Sequence, residues 1–273
     1  MTTPLDGSLL DAVRDLAVLA AGRVLDVYRS PFEVVRKADA SPLTEADLDS
    51  HRTILEGLAD LAPDIPVLSE ESAEIDFATR SAWSRYWLVD PLDGTKDFVS
   101  GNGEFTVNIA LIEEHAPVLG VVAVPVTGVA YAAARGFGAR RHDAQGDRAL
   151  GVRRTATHPI RVAASRSHRD RETNAFIHAL GPCEDVSVGS SLKFCLLAEG
   201  AVDIYPRFGP TCEWDTAAAQ VVVEQAGGRV TDVDLEPLRY NTKDSLLNPH
   251  FLAFGDRNVD WREFMPREPA PGH

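Results

Sequence analysis

Tyr86-Trp87-Leu88-Val89-Asp90-Pro91-Leu92-Asp93-Gly94-Thr95-Lys96-Asp97-Phe98 is an apolar run that leads into two acids three residues apart and a Gly-Thr turn. The run predicts a strand ending at Asp90 and closed by Pro91, which sets a carboxylate at the carboxyl edge of a sheet, where α/β proteins commonly bind ligands. Asp93 is placed to cap a following helix. Gly94 and Thr95 then offer backbone N–H groups at the helix start, an anion seat reinforced by the helix dipole. Carboxylates alone would repel a phosphate. A hard divalent cation such as Mg²⁺ resolves the conflict, because it takes oxygens from one or two acids and fills its other positions with water and phosphate. The same residues also describe an ordinary turn before an Asp-capped helix.

The remainder of the chain bounds the choice. At 273 residues, 44% hydrophobic and 25% charged, it is long enough to bury a sizeable core in one large domain or two closely joined ones. A net charge of -14, with no Lys/Arg block, argues against a protein that coats nucleic acid by neutralising phosphates. Small anions stay open as ligands, since bound cations can invert the local electrostatic preference. Cys183, Cys195 and Cys212 show no Cys-x-x-Cys pair, so neither a disulfide framework nor a zinc knuckle is indicated, and a reducing compartment fits. The start Met1-Thr2-Thr3-Pro4-Leu5-Asp6 has no signal-peptide pattern and no apolar segment is long enough for an integral membrane span. A cytoplasmic protein is expected.

Leu9, Val13, Leu16, Ala20, Val24 and Val27 recur at helical spacing over residues 7 to 29, ahead of Pro31. A strand is expected over Glu33 to Lys37, and a helix from Thr44 with Leu48, Ile54, Leu55 and Leu58 inward. Short strands follow at Val67-Leu68 and Tyr86 to Asp90. Phe105, Val107, Ile109 and Leu111 then alternate with Thr106, Asn108 and Ala110, and Val118 to Val124 and Val129 to Ala134 continue as an antiparallel meander. From Ile160 strand and helix take turns: strands at Ile160 to Ala164, near Val186 and at Ala201 to Tyr205, helices at Arg171 to Leu180, Ser190 to Glu199 and Asp215 to Gln225. A boundary is therefore expected near residue 157, between an α+β half (1–157) and an α/β half (158–273). The tail from Arg267 to His273 reads as disordered.

Carboxylates gather at the element boundaries. Glu70 and Glu71 follow one strand, Asp90 and Asp93 the next, and Asp215 comes directly after Trp214 at a helix start. Rigid elements facing acids into a cleft are what a multi-metal phosphate site requires. Each acid also has a plainer reading. Asp215 can be a helix N-cap, Thr44-Glu45-Ala46-Asp47 can be a capping box, and Glu70-Glu71 a solvated pair.

Taken together, Ser69-Glu70-Glu71-Ser72, Asp90-Pro91-Leu92-Asp93-Gly94-Thr95 and Trp214-Asp215-Thr216-Ala217-Ala218 resemble, in order and over most of the chain, the inositol monophosphatase superfamily of lithium-sensitive, magnesium-dependent phosphatases. Within it, Asn102-Gly103-Glu104-Phe105-Thr106-Val107-Asn108, Ser165-Arg166-Ser167-His168, Gly189-Ser190-Ser191-Leu192-Lys193 and Tyr205-Pro206-Arg207-Phe208-Gly209-Pro210-Thr211 are similar to the CysQ-type 3'(2'),5'-bisphosphate nucleotidases. The resemblance runs from about Lys37 to Pro249. It implies a layered αβαβα sandwich of the inositol monophosphatase / fructose-1,6-bisphosphatase type. It also implies hydrolysis of the 3'-phosphate of adenosine 3',5'-bisphosphate, and 3'-phosphoadenylyl sulfate as a further candidate substrate, with two or three Mg²⁺ ions, in sulfate assimilation. The N-terminal half would carry most metal ligands, and the C-terminal half the substrate contacts and Asp215. A homodimer is compatible with it.

By the same resemblance, Glu70, Asp90, Asp93, Asp215 and the Leu92 carbonyl hold the metal ions, with Glu71 a less certain neighbour. Asp47 and Thr95 form the dyad that activates water. Gly94, Thr95, Ser165, Arg166, His168, Gly189, Ser190, Lys193 and Arg207 contact the bisphosphorylated nucleotide, Arg by forked contacts and Lys as a point charge. The segment Arg207-Phe208-Gly209-Pro210 carries no acid to grip sugar hydroxyls, which favours a nucleotide over a polyol; Glu213 remains a candidate hydroxyl binder, and Ala219 stands where relatives often carry Gly. Inositol phosphate and fructose 1,6-bisphosphate remain alternative substrates. A haloacid-dehalogenase-type phosphatase is excluded, since its nucleophile would fall two residues before Asp93, where Pro91 stands. A catalytically silent sensor is disfavoured because it has no need of Asp47 and Thr95.

Overall fold

The computed structural model describes residues 3–36, 42–165 and 170–266, so the tail from Arg267 and residues 37–41 and 166–169 fall outside the described residues. Helix α1 (Gly7–Tyr28) starts where Asp6 Oδ1 accepts the Leu9 amide at 2.9 Å, and buries Leu9, Val13, Leu16, Ala20 and Val24 along one face. β1 (Val34–Arg36) and β2 (Pro42–Thr44) pair antiparallel and lead into α2 (Glu45–Leu61). Next come β3 (Val67–Ser69), a 3-10 turn at Glu70–Ser72, α3 (Phe77–Arg80), β4 (Arg85–Asp93) and α4 (Thr95–Ser100). The meander is β5 (Thr106–Glu113), β6 (Ala116–Val124), β7 (Val129–Ala134), β8 (Gly138–Asp143) and β9 (Gly146–Ala149). The remainder runs β10 (Ile160–Ala164), α5 (Arg171–Ala179), β11 (Cys183–Ser187), α6 (Leu192–Ala198), β12 (Ile204–Arg207), α7 (Glu213–Gln225), β13 (Arg229–Asp232) and β14 (Phe251–Phe254).

Two sheets carry the fold. The seven-stranded one has the order β3-β4-β5-β6-β7-β8-β9, parallel at β3-β4 and antiparallel elsewhere; the five-stranded one has the order β11-β10-β12-β14-β13. Three apolar cores lie between layers. One joins α1 and α2 to the large sheet through Val13, Ile54 and Leu111; the second joins the other face of that sheet to α6, α7 and the small sheet through Ala110, Val222 and Phe194; the third covers the far face of the small sheet with α5 and Trp261. Helix, sheet, helix, sheet and helix therefore alternate, the layered sandwich that the resemblance implies. No helix among the described residues is long and apolar enough to cross a membrane.

Several boundaries differ from the sequence reading, and the differences bear on the site. Pro91 does not close β4: the strand continues to Asp93, with a register shift against β5 between Asp90 and Asp93. A bulge tolerates proline because the unpaired residues there need no ladder hydrogen bond. Asp93 does not cap α4, whose N-cap is Gly94 in the left-handed region at φ 93. Asp215 is not an N-cap either; α7 begins at Glu213, with Cys212 as its N-cap. Helix α6 begins at Leu192 rather than Ser190, and Ser190 itself holds φ 44 in the turn before it.

Candidate active site

Five acids approach one another from four elements. The bulge of β4 brings Asp90 and Asp93 to the same side, and the first turn of α7 adds Asp215; oxygens of these three lie within 4.8 Å of one another. Asp47 comes from the first turn of α2, and Thr95 Oγ1 donates to its Oδ1 at 3.1 Å and lies 3.2 Å from the Leu92 carbonyl. Glu70 is half-buried beside them, and its charge raises the pKa of both Asp90 and Asp215. Both α2 and α7 are capped by the acids themselves. Thr44 N donates to Asp47 Oδ2 at 2.8 Å, and Cys212 N donates to Asp215 Oδ2 at 2.8 Å, the reciprocal half of a capping box. The plain reading of Asp47 is thus correct as far as it goes, and it occupies one oxygen only.

The pattern is general in this cluster. Asp90 Oδ1 accepts the Leu92 amide at 3.0 Å, and Asp93 Oδ2 accepts the Ser191 amide at 2.7 Å. Each of the four aspartates gives one oxygen to a backbone N–H, which fixes the side chain on the scaffold. Burial, then the mutual repulsion of the carboxylates, raises the pKa of Asp90 and Asp215 well above the ordinary value; burial raises Asp93 as well, opposed by its bonds to Ser191. Buried oxygens that repel unless a positive charge sits between them fit a hard divalent cation.

A pH dependence follows from these directions. In the metal-free protein these acids have folded-state pKa values above their unfolded ones, so they favour the fold fully below the ordinary carboxylate pKa. That contribution is lost as the pH rises through the raised values. A cation that occupies the cluster removes the loss. Thermal unfolding with and without Mg²⁺ from pH 5 to 8 is expected to give a midpoint difference that widens with pH, and a constant difference would count against the cluster as the binding place.

A second ring of polar groups holds these acids. One face of α2 presents Asp47, Ser50 and His51: Ser50 Oγ donates to the Pro91 carbonyl at 2.7 Å, and His51 Nδ1 lies 2.9 Å from Ser69 Oγ. Thr106 and Asn108 reach Asp93 Oδ2 from β5 at 3.4 and 3.5 Å, and Asn108 Nδ2 donates to Ser191 Oγ at 2.9 Å. The sequence reading assigned no role to Ser50, His51, Thr106, Asn108 or Ser191. Thr106 and Asn108 carry a legible signal, two polar residues on one face of an otherwise apolar strand; Ser50 and His51 stand at i+3 and i+4 from Asp47.

A cleft of about 630 Å³ opens over Asp93 and Asp215, and every described substrate-contact candidate lines it: Gly94, Thr95, Ser165, Gly189, Ser190, Lys193 and Arg207. Arg166 and His168 lie outside the described residues. The groups differ in what they have free. Lys193 Nζ donates to the carbonyls of Val188 and Ser190 at 3.2 and 2.7 Å, and burial lowers its pKa to about 8 against the opposing charge of Asp93. Gly189 N donates to Glu104 Oε2 at 2.8 Å, and a side chain there would meet Asp97 Oδ2 at 2.7 Å, so only glycine fits. Arg207 is steadied by Thr211 Oγ1 at 2.8 Å and the Pro210 carbonyl at 2.9 Å. Glu213, a candidate hydroxyl binder by sequence, is buried instead against the loop at Asn241, whose amide donates to Glu213 Oε2 at 2.8 Å. Burial pushes its carboxyl up to about 7.

Known proteins resemble this chain in both sequence and fold. The sequence profile of the inositol monophosphatase family matches residues 7–258. The 3'(2'),5'-bisphosphate nucleotidase CysQ of Shigella flexneri is 51% identical over 245 residues, covering 89% of this chain and 98% of that protein. The crystal structure of CysQ from Bacteroides thetaiotaomicron superposes with a TM-score of 0.83 at 41% identity, covering 93% of this chain and 99% of the other. The inositol monophosphatase from Anabaena gives a TM-score of 0.72 at 27% identity over 94% of this chain and 93% of that one. The chain belongs to the inositol monophosphatase family.

Proposed function

We propose that this protein is a Mg²⁺-dependent 3'(2'),5'-bisphosphate nucleotidase that removes the 3'-phosphate of adenosine 3',5'-bisphosphate, giving AMP and phosphate. The observation that carries the reading is the convergence of Asp90, Asp93 and Asp215 within 4.8 Å, beside the Thr95–Asp47 hydrogen bond, at the floor of a cleft lined by Lys193 and Arg207. The high identity to CysQ nucleotidases along nearly their whole length supports the choice of substrate. Two or three Mg²⁺ ions would be held by Glu70, Asp90, Asp93, Asp215 and the Leu92 carbonyl, supplying the charge that makes water acidic and draws phosphate oxygens together.

The chain's own groups divide the remaining work. Thr95 Oγ1 sits between Asp47 Oδ1 and the cleft, so Asp47 can take the hydroxyl proton as Thr95 orients the attacking water. Asp47 is suited to that task because its other oxygen is fixed by Thr44. Gly94 and Thr95 amides face the phosphate being cleaved, where donors act most strongly on charge that develops during phosphoryl transfer. Arg207, Ser190 and Lys193 on the opposite wall face the second phosphate and the nucleoside, with Ser165 and Gly189 completing that wall; the family resemblance adds Arg166 and His168 as further substrate contacts. In this reading residues 1–157 contribute most of the metal site and residues 158–273 the substrate wall and Asp215. The cell would use the activity to clear the nucleotide left by sulfate activation and reduction, in the cytoplasm.

The test is phosphate release in Mg²⁺ from adenosine 3',5'-bisphosphate, inositol 1-phosphate and fructose 1,6-bisphosphate side by side. The bisphosphorylated nucleotide is expected to have the highest kcat/KM, by about tenfold or more, because cationic groups facing its second phosphate are left unmatched by inositol 1-phosphate. A higher value for either sugar-derived substrate would displace the nucleotide assignment while leaving the metal site intact.

A further inference from the structure

Ser191 stands at the N-cap of α6, yet its side chain makes no capping hydrogen bond to that helix. Serine at such a position ordinarily accepts from an amide of the first helical turn. Here the hydroxyl is turned toward the acids, where it lies 2.7 Å from Asp93 Oδ2 and 2.8 Å from the Asp215 carbonyl. Asn108 Nδ2 donates to the same oxygen at 2.9 Å, so the hydroxyl proton is left for an acceptor, and the Asp93 carboxylate is the stronger of the two. The Ser191 residue is buried. Asp93 Oδ2 therefore takes two short hydrogen bonds from one residue, the Ser191 amide and the Ser191 hydroxyl, both at 2.7 Å.

We propose that Ser191 is a positioning residue that sets the ion selectivity of the acidic cluster by confining Asp93 to coordination through a single oxygen. The proposal rests on the metal reading of the cluster given above. Mg²⁺ takes six oxygens in near-ideal octahedral geometry at short distance and suits one oxygen per carboxylate. Ca²⁺ is larger, takes six to eight, and gains from carboxylates that bind through both oxygens. An oxygen engaged by two donors cannot swing onto an ion without breaking both bonds. The other three aspartates each have a backbone amide on one oxygen as well, through Thr44, Leu92 and Cys212. Asp47 Oδ2 takes the amide and hydroxyl of Thr44 in the same way, but Asp47 is placed as the base; among the aspartates proposed as metal ligands Asp93 alone has this double hold, so it is where a one-atom change alters the number of available oxygens.

Calorimetric titration of metal-stripped protein with Mg²⁺ and with Ca²⁺, without substrate, tests this in the wild type, Ser191→Ala and Ser191→Thr. Alanine keeps the backbone amide on Asp93 and removes the hydroxyl alone; threonine restores it. The preference for Mg²⁺ over Ca²⁺ is expected to fall by about tenfold in Ser191→Ala, the lower end of what partners of metal ligands contribute, and to return in Ser191→Thr. Equal weakening of both ions, or an unchanged ratio, in an alanine variant whose thermal midpoint shows it to be folded would overturn the role of Ser191 and leave the metal site standing. A wild-type protein that binds neither ion would overturn the metal reading and this inference together.

Discussion

Asp93→Asn is expected to lower kcat/KM for the nucleotide by at least about 100-fold, more than a mere partner of a metal ligand contributes, because Asp93 is placed as a ligand itself. The fold should survive. Asparagine matches the carboxylate in shape, and its oxygen can still accept the Ser191 amide and hydroxyl, both 2.7 Å from Asp93 Oδ2. The substitution also takes one negative charge from a cluster in which Asp93 repels both Asp90 and Asp215. The metal-free variant should therefore unfold at a higher temperature than the metal-free wild type at pH 8, and respond less to added Mg²⁺. Loss of activity with gain of metal-free stability separates a binding role from a structural one. Unchanged turnover would remove Asp93 from the metal site.

Gly120→Ala is expected to produce the largest stability loss of any Gly→Ala substitution among the described residues. A Cβ at Gly120 would sit 2.1 Å from the Ala218 carbonyl oxygen and 2.9 Å from its Cα, backbone atoms of α7 that cannot turn aside. Gly120 lies on β6 in the middle of the large sheet, and α7 lies against it at Ala218, within a run of buried small residues, Ala217 to Ala219. Overpacking of this kind costs about 3 kcal/mol, the upper part of the usual range, because relief requires a helix to shift. Urea unfolding at unchanged m-value would show it as a lowered midpoint. The same shift would move Asp215, two residues into the helix, relative to Asp90. Activity measured well below the new unfolding midpoint should fall further than the unfolded fraction explains. A variant of wild-type stability would mean that the sheet and α7 have more room than the structure gives them.

The parts of this fold that can be read from sequence are those whose cause is local. The spacing of Leu9, Val13, Leu16 and Val24 predicts α1 because one helix face and one core suffice to explain it, and the alternation from Phe105 to Leu111 predicts β5 for the same reason. β9 gives no such signal, since all four of its residues are exposed and no face is apolar. β13 and β14 are four residues each, too short for a period to show, and they join the small sheet through antiparallel pairing with β12 and with each other. Pro91 misleads because the rule that proline ends a strand assumes a regular ladder, and the bulge between Asp90 and Asp93 suspends it.

The site divides in the same way. Its acids are legible because each falls at an element boundary within a short motif. The groups that orient them are not, because the partners are distant: Asp93 is held by Ser191, Pro91 by Ser50, and Gly189 by Glu104. Lys193 shows the converse, a residue whose motif places it at the substrate while much of its hydrogen bonding goes to the carbonyls of its own turn.

The two capping boxes give Asp47 and Asp215 a second reason to persist. Each fastens the first turn of a helix through one oxygen, so replacing it would fray α2 or α7 whether or not any substrate is turned over. A descendant of this chain that had lost its chemistry would remain under selection to keep both acids, and their presence would say nothing of its activity. Thr95, whose hydroxyl reaches Asp47 and the Leu92 carbonyl and caps nothing, would be free to drift first. Among relatives of uncertain activity, that position is the one to inspect.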